Sequence, residues 1–210
     1  AGDTVFGETC PQYLVLDESR YDDPVEGLKF ILSPPLRAKE HQEAIWQGIK
    51  DGTLQVIATD HCSFDFHGDK QNGKDDFTKC PNGAPGVETR MPIVFSEGVS
   101  KGRLSLNEFA AVTSTNPAKI FGMYPKKGVL APGSDADIVL MNPDMDVTIT
   151  KDILHENVDY TPYEGIQVKG WPVMTMVRGQ AVVENERLQV PLGFGRYINR
   201  KPVKYTELLK

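Results

Sequence analysis

The stretch Gln55-Val56-Ile57-Ala58-Thr59-Asp60-His61-Cys62 decides the fold. Val56, Ile57 and Ala58 make an apolar run of strand length, unbroken as in strands buried on both faces of a parallel sheet. Upstream, Ala38 to Ile49 puts Ala38, Ala44, Ile45 and Ile49 at spacings that share one helix face, and Gly52 supplies a helix stop. A helix feeding a buried strand is a βα unit. This strand delivers Asp60 at its C-terminal end, where α/β barrels carry their reacting groups.

Outward from that unit the pattern holds on both sides. Leu28-Lys29-Phe30-Ile31-Leu32 is a second short apolar run, predicted to be a strand stopped by Ser33-Pro34-Pro35, since proline cannot continue a central ladder. Ser63 to Glu88 has no period and is rich in Gly, Pro and charge; loops of that length inside a compact unit tend to be functional. Pro92 to Val99 and Ser105 to Val112 read as helices, the latter with Ser105 and Glu108 spaced for a capping box. Thr115-Asn116-Pro117 starts a further short helix with proline in its first turn. After Gly128 the character changes. Gly133-Ser134-Asp135-Ala136-Asp137 is turn chemistry, followed by a strand at Ile138–Met141 that breaks at Asn142-Pro143. Short strands follow around Val147 and Ile149, over Val173 to Val177, and over Ala181 to Val183 beyond a Gly179 turn. The predicted layout is the end of an α/β barrel over residues 1–127, a small β module over residues 128–188 and a basic tail over residues 189–210.

With 40% hydrophobic and 25% charged residues, the 210-residue chain has the composition of a packed domain rather than a disordered one. No run approaches the roughly 18 apolar residues of a membrane-spanning helix, and no secretory signal is visible. A net charge of −6 argues against a nucleic-acid partner. The tail runs the other way, with Arg196, Arg200, Lys201, Lys204 and Lys210 against Glu207, and is expected to dock on an acidic protein surface. Three cysteines, Cys10, Cys62 and Cys80, with no C-x-x-C pair favour a reducing, cytoplasmic setting. Cys62, His67 and Cys80 offer three zinc donors, but their spacing fits no common structural site. The chain does not begin with Met and enters a β-rich patch at Thr4-Val5-Phe6, so a piece of something longer is expected.

Asp60 is the strongest candidate for chemistry. A lone aspartate is ordinarily a cap or half of an ion pair. Here His61, Cys62 and a glycine-rich loop crowd the same rim, and a carboxylate can both ligate a metal and accept a proton from metal-bound water. His61, its neighbour at the strand end, points to the other side and is expected to support the site rather than share a ligand. His41, His67 and His155 form no H-x-H or H-x-x-x-H pair and are expected to be solvated or locally bonded. Ser33 has no G-x-S-x-G elbow around it, so it suits hydrogen bonding rather than nucleophilic attack. Asn82, in Pro81-Asn82-Gly83-Ala84-Pro85-Gly86, offers donors and acceptors in a loop able to close around a small polar ring, or else a plain Asn-Gly turn.

Taken in order, Gly7-Glu8-Thr9-Cys10-Pro11-Gln12-Tyr13-Leu14, Ser33-Pro34-Pro35-Leu36-Arg37, Thr59-Asp60-His61-Cys62 and Asn82-Gly83-Ala84-Pro85-Gly86-Val87-Glu88 resemble the dihydropyrimidinases and D-hydantoinases. Asn116-Pro117-Ala118-Lys119 and Gly133-Ser134-Asp135-Ala136-Asp137-Ile138-Val139 resemble the ending shared by the wider amidohydrolase superfamily. The resemblance runs from Gly7 to about Pro202. It implies the C-terminal part of a (β/α)8 barrel of the TIM type with a small β-sandwich domain. The implied activity is metal-dependent opening of a cyclic amide or ureide, in a cytoplasmic homotetramer that contacts neither nucleic acid nor membrane. Two zinc ions bridged by a carboxylated lysine and a hydroxide polarise the ring carbonyl in such enzymes. Asp60 matches the aspartate that ligates one metal and carries the proton to the leaving nitrogen. Ser33 and Asn82 match the positions that hold the ring's amide edge, the serine largely through its backbone.

The H-x-H pair, the lysine and the two later histidines of that pattern all precede Ala1, so these residues alone are expected to be inactive and to leave a sheet edge open. Two other readings share the pattern. The cytoskeletal adaptor relatives lack the metal set and would have no aspartate at position 60, so Thr59-Asp60-His61 favours the enzyme. Allantoinases and dihydroorotases are set apart by the Cys62-Ser63-Phe64 continuation and the Asn82 loop.

Overall fold

The computed structural model of the chain describes residues 5–203. Two sheets organise them. In the first, β1 (Glu8–Thr9) pairs in parallel with β2 (Val56–Ile57), Glu8 opposite Val56 and Thr9 opposite Ile57. The connection carries the helices α1 (Pro11–Val15) and α2 (His41–Lys50). The predicted βα unit is therefore present, with β2 fully buried. Gly52 takes a φ of 80° just beyond α2, the left-handed stop expected of it. The buried face of α2 differs in detail. Trp46 and Ile49 turn inward while Ala44 is exposed, because the large indole removes far more apolar area from water than a methyl does. Arg103 lies over the outer side of that ring, 5.3 Å from its centroid.

The predicted strand at Leu28–Leu32 is not one. Glu26–Phe30 forms a 3-10 helix. Asp23 Oδ1 accepts from the N–H groups of Val25 and Glu26, both at 2.8 Å, which starts a helical turn. Lys29 then reaches Glu26 across one turn at 2.6 Å. Ser33 accordingly follows a helical turn and a short extended link rather than a strand end.

The helical expectations hold with one change. α3 (Arg90–Val94) widens into a π-helical turn over Phe95–Ser100. The capping box forms: Ser105 Oγ accepts from Glu108 N at 3.2 Å, and the Glu108 carboxylate accepts from Ser105 N at 2.7 Å. α4 (Leu106–Ala110) then runs through a π-helical turn, Ala111–Thr115, into α5 (Asn116–Ile120) without a break. Pro117 has no N–H to donate back into the preceding turn, and the wider turn absorbs that missing bond. The predicted separate helix is thus the end of a longer one.

The second sheet has the order β3-β4-β5-β6, all antiparallel: β3 (Ile138–Thr148), β4 (Gln167–Val177), β5 (Gln180–Glu184) and β6 (Arg187–Leu188). β3 continues past Asn142-Pro143, where a break was predicted, through a register shift between Asn142 and Asp146. It is an edge strand, and proline is tolerated at edges and bulges. Arg178-Gly179 and Asn185-Glu186 all have positive φ, the conformation of the tight turns that match strand twist. Among the described residues this is one sheet, not the two facing sheets of a sandwich. An open cleft of about 860 Å³ lies along it, lined by Val139, Met145, Trp171, Val173, Val183 and Leu188 among others.

β4 is fastened to α3. Gly170 (φ 98°) lets the strand backbone lie against the Phe95 ring, and Ser96 Oγ accepts from Lys169 N at 3.0 Å. A core of Leu16, Phe30, Leu36, Ile93, Ile149, Leu154, Tyr163 and Val168 is shared by the helical layer and the second sheet. The described part of the basic tail lies on its own chain. Arg178 bonds the Phe194 carbonyl at 2.9 Å and covers its ring at 4.5 Å, and Lys201 N donates to the Gly122 carbonyl at 2.9 Å. Lys204, Glu207 and Lys210 fall outside the described residues, as does Thr4. No helix among the described residues is long and apolar enough to cross a membrane.

Candidate active site

β2 ends at Ile57, and its continuation is held by side chains from three other elements. Arg90 Nη1 donates to the Ile57 carbonyl at 2.9 Å and to that of Thr113 at 3.3 Å. Gln12 Nε2 donates to the Thr59 carbonyl at 3.4 Å, and Tyr163 Oη donates to Gln12 Oε1 at 3.3 Å. His61 N donates to Thr59 Oγ1 at 3.3 Å. Between these anchors Asp60 adopts a φ of 49°, a left-handed backbone that aspartate tolerates better than most residues. Its side chain is exposed and enters no hydrogen bond or ion pair with another described residue. The cap or ion-pair alternative is therefore not what the structure has.

The negative charge of Asp60 is felt nearby. Burial first, and then the charges of Glu8 and Asp60, push the Cys10 thiol up to about 12. Burial first, and then Cys10 and Asp60, push the Tyr13 phenol above its ordinary range. Both groups stay protonated at neutral pH, which leaves Asp60 as the anionic group at the end of β2.

The loop carrying Asn82 is laced between β2's continuation and the Ser33 segment. His61 bridges Ala84 in parallel, Cys62 N donates to the Ala84 carbonyl at 3.2 Å, and Gly83 N donates to the Ile31 carbonyl at 3.0 Å. Gly83 has a φ of 135°, and its α-carbon lies so close to Cys62 that a side chain would collide with the Cys62 carbonyl. This lacing brings Ser33 Oγ to 3.3 Å from Asn82 Oδ1, to which it donates. Tyr13 Oη fixes the next residue of the serine segment, donating to the Pro34 carbonyl at 2.8 Å. The N–H groups of Ser33 and Asn82 have no acceptor among the described residues. Ser33 and Asn82, distant along the chain, thus meet, and the loop that follows Asn82 is tied to His61 and Cys62, the residues just past Asp60.

Lys70 was not foreseen. It is 0% exposed, and its ammonium donates to three carbonyls, those of Ile31 (2.9 Å), Pro81 (2.8 Å) and Gly83 (2.7 Å). Taking an ammonium out of water costs several kcal/mol. Three charge-assisted hydrogen bonds at about 1.5–3 kcal/mol each offset that cost. Desolvation holds its pKa below the usual lysine value. Gln12, Arg90 and Tyr163 were also missed as supports. Nothing in a linear reading distinguishes a lysine in a polar loop from a solvated one; the signal lies in three carbonyls that meet only in space.

His61 has the supporting place expected of it. Its Nδ1 accepts from the N–H groups of Gly86 (3.1 Å) and Val87 (3.3 Å), so the ring proton sits on Nε2. His155 is bonded at both nitrogens, to Glu88 Oε1 at 2.7 Å and to the Glu186 carbonyl at 3.0 Å. The zinc donors Cys62, His67 and Cys80 do not assemble. Cys80 is buried with its sulfur 3.8 Å from the carbonyls of Leu28 and Pro81, while His67 is exposed and its N–H donates to Asp159 at 2.9 Å. No three His, Cys, Asp or Glu side chains among the described residues gather as a metal centre would require. The Asp60 carboxylate, free of other described residues, is a single donor.

Residues 15–182 match the amidohydrolase family. The chain is 49% identical to the D-hydantoinase of Geobacillus stearothermophilus over 209 residues, covering 99% of this chain and 44% of the relative. It is 49% identical to a D-phenylhydantoinase of Escherichia coli over 198 residues, covering 94% and 43%. Among solved structures, the dihydropyrimidinase from Brevibacillus agri superposes with a TM-score of 0.93 at 52% identity, over 95% of this chain and 43% of that one. The D-hydantoinase from Thermus sp. superposes with a TM-score of 0.92 at 37% identity, over 96% and 44%. The chain spans less than half the length of these relatives. The matched region holds Ser33, Asp60, Asn82, Lys70, Arg90 and Tyr163, and the chain belongs to the amidohydrolase family.

Proposed function

We propose that the protein carrying these residues opens a cyclic amide, a dihydropyrimidine or a hydantoin, by metal-dependent hydrolysis. The observation that carries this is the pairing of Ser33 with Asn82 in a loop tied to the residues just past Asp60, whose carboxylate has no partner among the described residues. Such a ring presents a planar edge of alternating carbonyl and N–H groups. Ser33 and Asn82 supply the free backbone N–H donors and the side-chain acceptor that fit this edge and orient the ring. Asp60 would be one ligand of the zinc and would serve as the base, taking the proton of the attacking water and giving it to the ring nitrogen as the C–N bond breaks. Zinc, when bound, supplies Lewis-acid polarisation of the ring carbonyl and a lowered pKa for the attacking water. A bare exposed carboxylate suits both duties, since no internal partner has to be displaced first.

The remaining ligands, including a carboxylated lysine, belong in this proposal to polypeptide outside this chain. So do the other barrel strands and a second sheet that covers the apolar cleft on β3–β5 to complete a sandwich. Residues 1–127, 128–188 and 189–210 are then the end of the barrel, the chain's share of the sandwich and the tail, in a cytoplasmic homotetramer. The test is the intact, zinc-loaded protein incubated with dihydrouracil and with hydantoin, the ring-opened products being measured by chromatography. Opening of either ring supports the proposal. Failure on both, with metal bound, overturns it.

A further inference from the structure

We propose that Lys70 is a positioning residue for substrate recognition: its buried ammonium clamps the Ser33 and Asn82 segments at the separation that receives a cyclic amide edge. The proposal rests on the hydrolase reading above and deepens it. The three carbonyls that Lys70 bonds are not scattered. Ile31 lies just ahead of Ser33, and Pro81 and Gly83 flank Asn82 on either side. An ammonium has three donors, and all three are used. No carboxylate among the described residues pairs with it, and its three hydrogen bonds all go to backbone carbonyls of the two segments it joins.

That choice of partners has a directional consequence. In a trans peptide the carbonyl and the N–H point opposite ways. Drawing the Pro81 carbonyl inward to Lys70 therefore turns the N–H of Asn82 outward, toward the exposed side on which Asn82 lies. The ammonium also polarises that peptide, which strengthens its N–H as a donor. A leucine or methionine would fill the same space and satisfy packing alone. It would take the ammonium from three carbonyls, of which that of Ile31 keeps the Gly83 N–H, and leave the Asn82 peptide free to turn. Lys70 touches no reacting atom; it acts through Asn82 and Ser33.

The experiment uses the intact, zinc-loaded protein with Lys70→Met, Asn82→Ala and the double variant, assayed for opening of dihydrouracil and hydantoin. Lys70→Met is expected to raise KM about tenfold or more with unchanged zinc content and a smaller change in kcat. Asn82→Ala keeps the backbone N–H that Lys70 orients, so in that background the same substitution is expected to raise KM by a similar factor. An unchanged KM, or loss of the Lys70→Met effect once the Asn82 side chain is removed, overturns the proposal. Should Lys70→Met not fold, Lys70→Arg carries the same test, since a longer planar fork cannot meet three carbonyls arranged around a point. If the wild-type protein opens no cyclic amide, the functional reading has failed by itself. The clamp is then judged by hydrogen exchange at the Gly83 amide: selective loss of protection in Lys70→Arg upholds it, and unchanged protection overturns it.

Discussion

Replacing Gly83 with alanine tests the lacing of the site with a magnitude worked from the coordinates. At φ 135° an L-residue is strained, a cost of about 1–3 kcal/mol. An added Cβ would also lie 2.7 Å from Cys62 Cβ and 3.1 Å from its sulfur, and would collide with the Cys62 carbonyl. Overpacking of this kind costs roughly 1–3 kcal/mol more, since the obstacle is backbone rather than the end of a flexible side chain. The sum is about 2–6 kcal/mol. Gly52 provides the control. Its φ is 80° and nothing lies within 4 Å of an added Cβ, so Gly52→Ala suffers strain alone, about 1 kcal/mol. With a urea dependence of about 2 kcal/mol per molar, the two variants should differ in unfolding midpoint by roughly 0.5–2.5 M. The assay is urea unfolding of the intact protein followed by circular dichroism. Equal midpoints for the two variants would refute the close approach of the Asn82 loop to Cys62, and with it the account of how the rim is held.

Three further outcomes follow from the same contacts. Arg90→Leu strands the carbonyls of Ile57 and Thr113; at about 1–3 kcal/mol for each orphaned acceptor, its urea midpoint should fall well below that of an exposed control such as Arg37→Leu. The Glu88 carboxylate first, and the Glu186 carbonyl next, raise the pKa of His155 above 6.5. That stabilisation is fully present below the unfolded value and is lost as pH rises through the folded one, so the midpoint advantage of wild type over His155→Gln should shrink as pH rises above 6.5. Lys50 and then Ser105 hold Glu108 down at about 2, so the stability it contributes is present above pH 4.5 and disappears as acid approaches the folded value. Glu108→Ala should accordingly lower the midpoint by about 1 kcal/mol equivalent near neutrality and less in acid.

Much of the architecture was legible because it is local. An apolar triplet after an amphipathic helix marks β2, Ser105 and Glu108 mark a helix start by spacing, and Gly52 marks an end. The failures have physical reasons. Leu28–Leu32 has strand-like composition, but the Asp23 side chain starts a helical turn just ahead of it, and hydrogen bonds of that kind outweigh weak propensity. Pro143 looked like a break because nothing in the sequence says that β3 is an edge, where the missing donor goes unneeded. Asp60 became a candidate from its strand-end position and crowded neighbours, and Ser33 and Asn82 from their motifs. Lys70, Gln12 and Arg90 did not, since each matters for carbonyls that other segments bring to it.

The central claim is that the Asp60 carboxylate is both a metal ligand and the proton carrier of a ring-opening reaction. Asp60→Asn keeps the size and the tolerance for the left-handed backbone while removing the charge, so folding should be preserved. The measurement is ring-opening rate together with zinc stoichiometry in the intact protein, wild type against Asp60→Asn. The account predicts turnover lower by at least about 100-fold, the scale of a lost general base, with reduced zinc occupancy and an unchanged unfolding midpoint. Turnover within a few-fold of wild type, at full zinc occupancy, would contradict it.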